Sequence, residues 1–156
     1  MHGSLLKIIE KDNKHDSLEF EFETLISGGV STGFSCPDNL LFDKVGNLWF
    51  TSDISGSKMN KSPEYLPFKN NGLFVLIRRG IQSGEIIQVA SAPIDAEFTG
   101  PCFSPDGKTL FLSVQHPGER SSSINHLTST WPNQKGVPKS SVITIEGELI
   151  DKLTSA

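Results

Sequence analysis

No stretch of this chain is long and apolar enough to enter a bilayer: the longest uninterrupted apolar run, residues 73–77, falls far short of the ~20 residues a spanning helix requires. A charged, then apolar, then small-residue pattern is also missing from its start, so no targeting signal is expected within this sequence. Basic charge is scarce. Fourteen Lys and Arg stand against eighteen Asp and Glu, for a net charge of −4. Apart from Arg78 and Arg79 the cations are scattered, which excludes nucleic acid as a partner and means that acidic ligands would need metal ions to bind. Only two cysteines are present, Cys36 and Cys102, and they do not occupy equivalent places in the repeat described below, so no disulfide framework is indicated. A phosphate-binding P-loop, HExxH, paired CxxC and an EF-hand loop are all absent, which removes several enzyme mechanisms.

What the chain does have is a repeat. FDKVGNLWF at residues 42–50 returns as FSPDGKTLF at residues 103–111, an offset of 61. In each copy an apolar run leads into a polar turn, with Gly46 and Gly107 in register, and a second apolar run follows. Both read as tight β-hairpins, because glycine supplies the positive φ such turns need and Asp43, Asn47 and Asp106 are further turn formers. Two hairpins with Phe, Gly and Phe in matching places argue for one supersecondary unit used twice. At this period 156 residues hold about two and a half units, below the roughly three or more that stacked repeats generally need. The chain is therefore expected to be part of something larger.

Strand patterning fills in the unit. NNGLFVLIRR and IIQVASAP supply third and fourth strands after the first hairpin, and SSVITIEG a third strand after the second, with residues 148–153 expected to form part of a fourth. Upstream, LLKIIE, the turn KDNKHD and LEFEFETLI read as the last two strands of a preceding unit, with Leu18, Phe20 and Phe22 alternating against Glu19, Glu21 and Glu23. The expected fold is all-β: about two to two and a half four-stranded antiparallel blades of a β-propeller, in preference to a two-sheet sandwich. Residues 1–33 end one blade, residues 34–95 form a complete one, and residues 96–156 begin the next, with a long loop at 115–140.

Blade geometry assigns faces to the connections. Short hairpin turns lie on one side. The segments leading into each first strand and the long connections between second and third strands lie on the other, as in a scaffold that presents a functional surface. On that second side Asp38 and Asn39 introduce one innermost strand and Glu97 stands one position from the equivalent place in the next. Converging carboxylates and an amide oxygen with no nearby Lys or Arg make a hard-oxygen environment suited to calcium or a similar cation, although Asp and Asn also serve such loops simply as turn formers. Glu97, flanked by Ala96 and Phe98, needs a partner that its sequence neighbours do not provide. Asp53 and His116 end second strands on the same side and could reach the same cavity, His116 as a ligand, a proton donor or a plain hydrogen-bonding residue. Asp43 and Asp106 belong to the hairpin turns and are assigned a structural role.

PDNLLFDKVGNLWFTSD, EFTGPCFSPDGKTLFLSVQHPGE, the Ser-Thr-Trp-Pro segment and PKSSVITIEG, in that order and spacing, resemble the C-terminal part of the PhoX alkaline phosphatase family. The resemblance implies a six-bladed propeller of a secreted or periplasmic protein, holding iron and calcium in its central channel and hydrolysing phosphate monoesters. By position in those motifs Asp38 and Glu97 resemble residues of the metal site. Members of the family are several times longer, so the piece seen here is expected to be inactive alone and to self-associate through its open blade faces. Competing readings are a calcium-dependent lactonase-type propeller with one divalent ion held by Glu, Asn and Asp, and a non-catalytic binding propeller.

Overall fold

Three antiparallel sheets follow one another along the chain in a computed structural model that describes residues 2–155. The first pairs β1 (Ser4–Glu10) with β2 (Phe20–Ser27). The second is a four-stranded meander of β3 (Pro37–Phe42), β4 (Leu48–Ser52), β5 (Gly72–Leu76) and β6 (Ile86–Ser91), hydrogen-bonded in that order. The third joins β7 (Glu97–Phe103), β8 (Leu110–Gln115) and β9 (Ser141–Ile145). These are the expected all-β blades.

Side-chain alternation explains why the sheets stack. In β4 and β5 every residue is buried, because one face of the middle sheet meets the first sheet and the other meets the third. Leu48, Phe50, Phe74 and Leu76 point one way and pack with Leu5 and Phe34; Trp49, Leu73 and Val75 point the other way and pack with Phe98, Leu110, Leu112 and Val114. Truncating a fully buried aromatic such as Trp49 or Phe50 to alanine is expected to cost about 3–5 kcal/mol. A third cluster, Ile54, Met59 and Tyr65, lies under the long connection between β4 and β5.

The two hairpins start alike but differ in length: Phe42 pairs with Leu48 and Phe103 with Leu110, so the second turn is one residue longer, and Phe111 is exposed where Phe50 is buried, against the expected match. In the first, Asp43 Oδ1 accepts from the backbone N–H groups of Val45 and Asn47 at 3.0 and 2.9 Å, while Oδ2 accepts from Asn47 Nδ2 and Trp49 Nε1 at 3.1 and 2.9 Å. In the second, Asp106 Oδ1 accepts from Ser104 Oγ at 2.6 Å and from the Lys108 N–H at 3.1 Å, and its pKa is lowered, chiefly by that hydroxyl. Gly46 and Gly107, at φ 89 and 76, take the left-handed positions that side chains disfavour. Both aspartates are turn residues, as expected.

A further expectation is overturned. Residues 148–153 do not add a fourth strand; they lie in a helix, α1 (Glu148–Thr154). Gly147, at φ 110, breaks the extended chain after β9. ELIDKL then places Ile150 and Leu153 three apart, a helical rather than a strand spacing, and both pack onto the core between the second and third sheets. Glu148 and Lys152 pair across one turn at 2.6 Å, and the Leu153 carbonyl accepts from Asn47 Nδ2 at 2.9 Å. The helix thereby caps the hairpin end of the molecule.

Candidate metal centre between neighbouring blades

Because alternate strands run in opposite directions, the starts of β3 and β7 and the ends of β4 and β8 lie at one end of the sheets, opposite the hairpin turns. This end gathers the polar residues. A register irregularity between Pro37 and Leu40 takes Asp38 and Asn39 out of regular pairing with β4. Asn39 then bridges two blades: its amide oxygen accepts from Thr99 Oγ1 at 2.7 Å and from the Gly100 N–H at 2.6 Å, and its Nδ2 donates to the Asp38 carboxylate. Asn39 therefore holds the start of β3 against β7, and both lone-pair directions of its oxygen are already engaged.

Glu97 opens β7 opposite Gln115, with its side chain 11 % exposed. The partner missing from its sequence neighbourhood comes from other strands. Asp53, just after β4, shares a side-chain hydrogen bond with it, and His116, just after β8, places Nε2 at 3.4 Å from Glu97 Oε1. Burial, the hydrogen bond and the charge of Asp53 push the Glu97 carboxyl up to about 7; His116 opposes the shift, and Asp38 adds to it. A carboxyl beside a second carboxyl ionises less readily, so Glu97 keeps its proton to higher pH than a free glutamate. All five expected residues thus fall at this end: Glu97 with Asp53, His116 and Asp38 around it, and Asn39 bonded to Asp38.

The donor set is oxygen-rich. Neither cysteine belongs to it: Cys36 packs against the Ile54 cluster with Sγ 3.5 Å from Ser35 Oγ, and Cys102 is exposed. Among the described residues no three His, Cys, Asp or Glu side chains are gathered into a ready-made metal site. What fits a cation is the chemistry: three carboxyl groups, with no Lys or Arg among the charges acting on Glu97, suit a hard ion such as calcium.

Three residues beside this set are not evident from the sequence. Asp95, with its side chain wholly buried, receives the Arg120 guanidinium, whose Nε donates to Oδ1 at 2.6 Å. Glu119 places a carboxylate oxygen 3.8 Å from His116 Nδ1, a buried nitrogen with no hydrogen-bond partner. The sequence signal was slight: an aspartate in the apolar setting Ile94-Asp95-Ala96, and an arginine in a loop.

Comparison with known proteins bears on this geometry. A family model described as alkaline phosphatase PhoX matches residues 1–118. Among solved structures, Pseudomonas fluorescens PhoX in complex with vanadate, a transition state analogue, is similar, with a TM-score of 0.77 and 30 % sequence identity. The similarity covers 96 % of this chain and 27 % of that one, so the chain spans about a quarter of the solved protein's length. No curated protein matches. With the family model covering most of its residues and the solved structure sharing its fold along nearly all of its length, the chain belongs to the PhoX alkaline phosphatase family.

Proposed function

We propose that this chain supplies part of the metal site of a phosphatase acting on phosphate monoesters, with Asp38 and Glu97 as oxygen ligands, and Asp53 and His116 beside them. The observation that carries the reading is the state of Glu97. A buried carboxyl hydrogen-bonded to a second carboxyl, in the field of a third and with its pKa raised to about 7, is a group that a divalent cation would ionise and hold. When bound, such ions polarise a phosphoryl oxygen and activate the attacking nucleophile.

The residues themselves divide the work. Asp38 is oriented by the Asn39 amide, and Asn39 by Thr99 and Gly100, so the start of β3 holds a carboxylate at a fixed place. Asn39 could lend its own oxygen to a cation only by releasing one of those donors. Asp53 faces Glu97 through a side-chain hydrogen bond, and His116 holds a ring nitrogen against the same carboxyl. Calcium takes six to eight oxygens, more than this set provides, so the remainder would come from water or from groups outside this sequence. Calcium accounts for the oxygen donors; iron, which the family resemblance implies, would draw here on His116 and the carboxylates. The chain by itself is accordingly proposed to be inactive, and the complete protein to be periplasmic or secreted.

The chain is further proposed to self-associate. Leu6, Ile8, Phe20 and Phe22 share one face of the first sheet and are 58, 64, 61 and 68 % exposed, an apolar surface that soluble proteins cover. Closed association of copies would hide it without propagating into fibres. The test of the metal reading is thermal melting of the full chain with calcium or with chelator, beside metal analysis and a phosphate monoester assay. Stabilisation by calcium, lost in Glu97→Gln, supports the site. Equal melting in both conditions rejects it.

A further inference from the structure

The five residues after β8 are fixed more firmly than a surface loop requires. His116 turns the chain at φ 34, and the Gly118 and Glu119 N–H groups then donate to the carbonyls of Ile94 and Asp95 at 3.2 and 3.4 Å. Arg120 follows with Nε 2.6 Å from Asp95 Oδ1, Nη2 on the same oxygen, and Nη1 3.4 Å from the Met59 carbonyl. Asp95 receives it from a left-handed conformation, φ 56, with its other carboxylate oxygen buried and unpartnered. The long connection of the middle blade closes on the same segment: a Cβ built on Gly56 would stand 2.8 Å from Glu119 Oε2 and 3.6 Å from Arg120 Cγ. Loops of two neighbouring blades are therefore joined through one guanidinium.

A staple between blades would not need this pair. The two sheets already share a large apolar core, and a buried ion pair is generally no better for stability than apolar side chains of the same volume. What the pair does provide is geometry. It pins the segment whose first residue sets Nε2 3.4 Å from Glu97 and whose fourth sets a carboxylate 3.8 Å from the other ring nitrogen. It also occupies the arginine beside the acidic set with Asp95, and the charges acting on Glu97 are those of Asp53, His116 and Asp38.

We propose that Arg120 is a positioning residue which, by pairing with Asp95 and reaching the Met59 carbonyl, sets His116 against Glu97 and Glu119 against His116, and holds the loops of adjacent blades at the cation site. The assignment rests on the reading of Glu97 as part of that site.

The test is a double-mutant cycle on the full chain, read in the His116 ring signals by NMR and assigned with His116→Gln. Glu97→Gln shifts those signals in the wild-type background. In Arg120→Ala that response falls by at least about threefold, while the amide signals of β4 and β5 stay in place, and Arg120→Lys restores part of it. Should Arg120→Ala fail to fold because Asp95 is left as an unpaired buried charge, Asp95→Asn/Arg120→Ala removes the charge and keeps a residue that tolerates positive φ. The same loss of response is then expected. An undiminished response in whichever of the two variants folds overturns the proposal. Calcium melts on the wild type run beside it separate the two readings: no calcium stabilisation removes the cation site, while the ring response still decides whether Arg120 positions His116.

Discussion

Glu97 at the start of β7 and Asp53 just after β4 meet carboxyl to carboxyl across the junction of two sheets, joined by a side-chain hydrogen bond. Strand polarity brings them together from 44 positions apart (53 to 97), and the contact gives the metal-free protein an unusual pH dependence. In the folded chain the Glu97 carboxyl titrates near 7, against an ordinary value of 4.5. The folded state therefore holds the proton more tightly than the unfolded state, and stability from this group is present below about pH 4.5 and is lost as pH rises through about 7. At about 1.4 kcal/mol per unit the loss is on the order of 3 kcal/mol. Denaturant unfolding in chelator between pH 4.5 and 8.5 measures it, and Glu97→Gln is expected to flatten the slope. A stability that rises across this window in the wild type and equally in the variant contradicts the assignment.

Asp43 offers a contrasting prediction at the opposite end. Its carboxylate accepts four hydrogen bonds, one from the buried Trp49 indole. Asp43→Asn would turn amide hydrogens toward donors, and Asp43→Ala would leave them all unmet, at a cost of about 2–4 kcal/mol. Chemical denaturation measures the loss. Calcium-dependent stabilisation should be unchanged in any variant that still folds, since Asp43 lies in a hairpin turn away from the acidic set.

Much of the fold was legible because its signals are local. The first Phe and the Gly recur at one offset, and the alternation through β2, β3 and β8 follows from strand geometry, so the sheets and the end on which Asp38, Asn39, Asp53, Glu97 and His116 gather could be read directly, although the longer second turn leaves Phe50 and Phe111 out of step. Helix α1 could not. Six residues are too short a run to establish a period from sequence, and the choice is made by Gly147 and by the core site that Ile150 fills. The Asp95–Arg120 pair was invisible for another reason: its partners lie 25 positions apart, on loops whose meeting depends on how two blades stack.

Self-association makes a prediction of its own. Phe20 and Phe22 stand on the uncovered face of the first sheet beside Leu6 and Ile8, so sedimentation should show concentration-dependent oligomers. Phe20→Lys/Phe22→Lys is expected to shift them toward monomer without changing the strand signal in circular dichroism. Wild-type protein that remains a monomer at high concentration would contradict this.

Among these tests, calcium-dependent melting at pH 8 addresses the central claim most directly. The wild-type chain, with the Glu97 carboxyl held beside Asp53, should gain several degrees between chelator and millimolar calcium. Glu97→Gln and Asp38→Asn should gain little, while Glu97→Gln in chelator should melt above the wild type because the repulsion is gone. A wild-type melting temperature indifferent to calcium, or a gain that survives both substitutions, would contradict the assignment of this acidic set as a cation site.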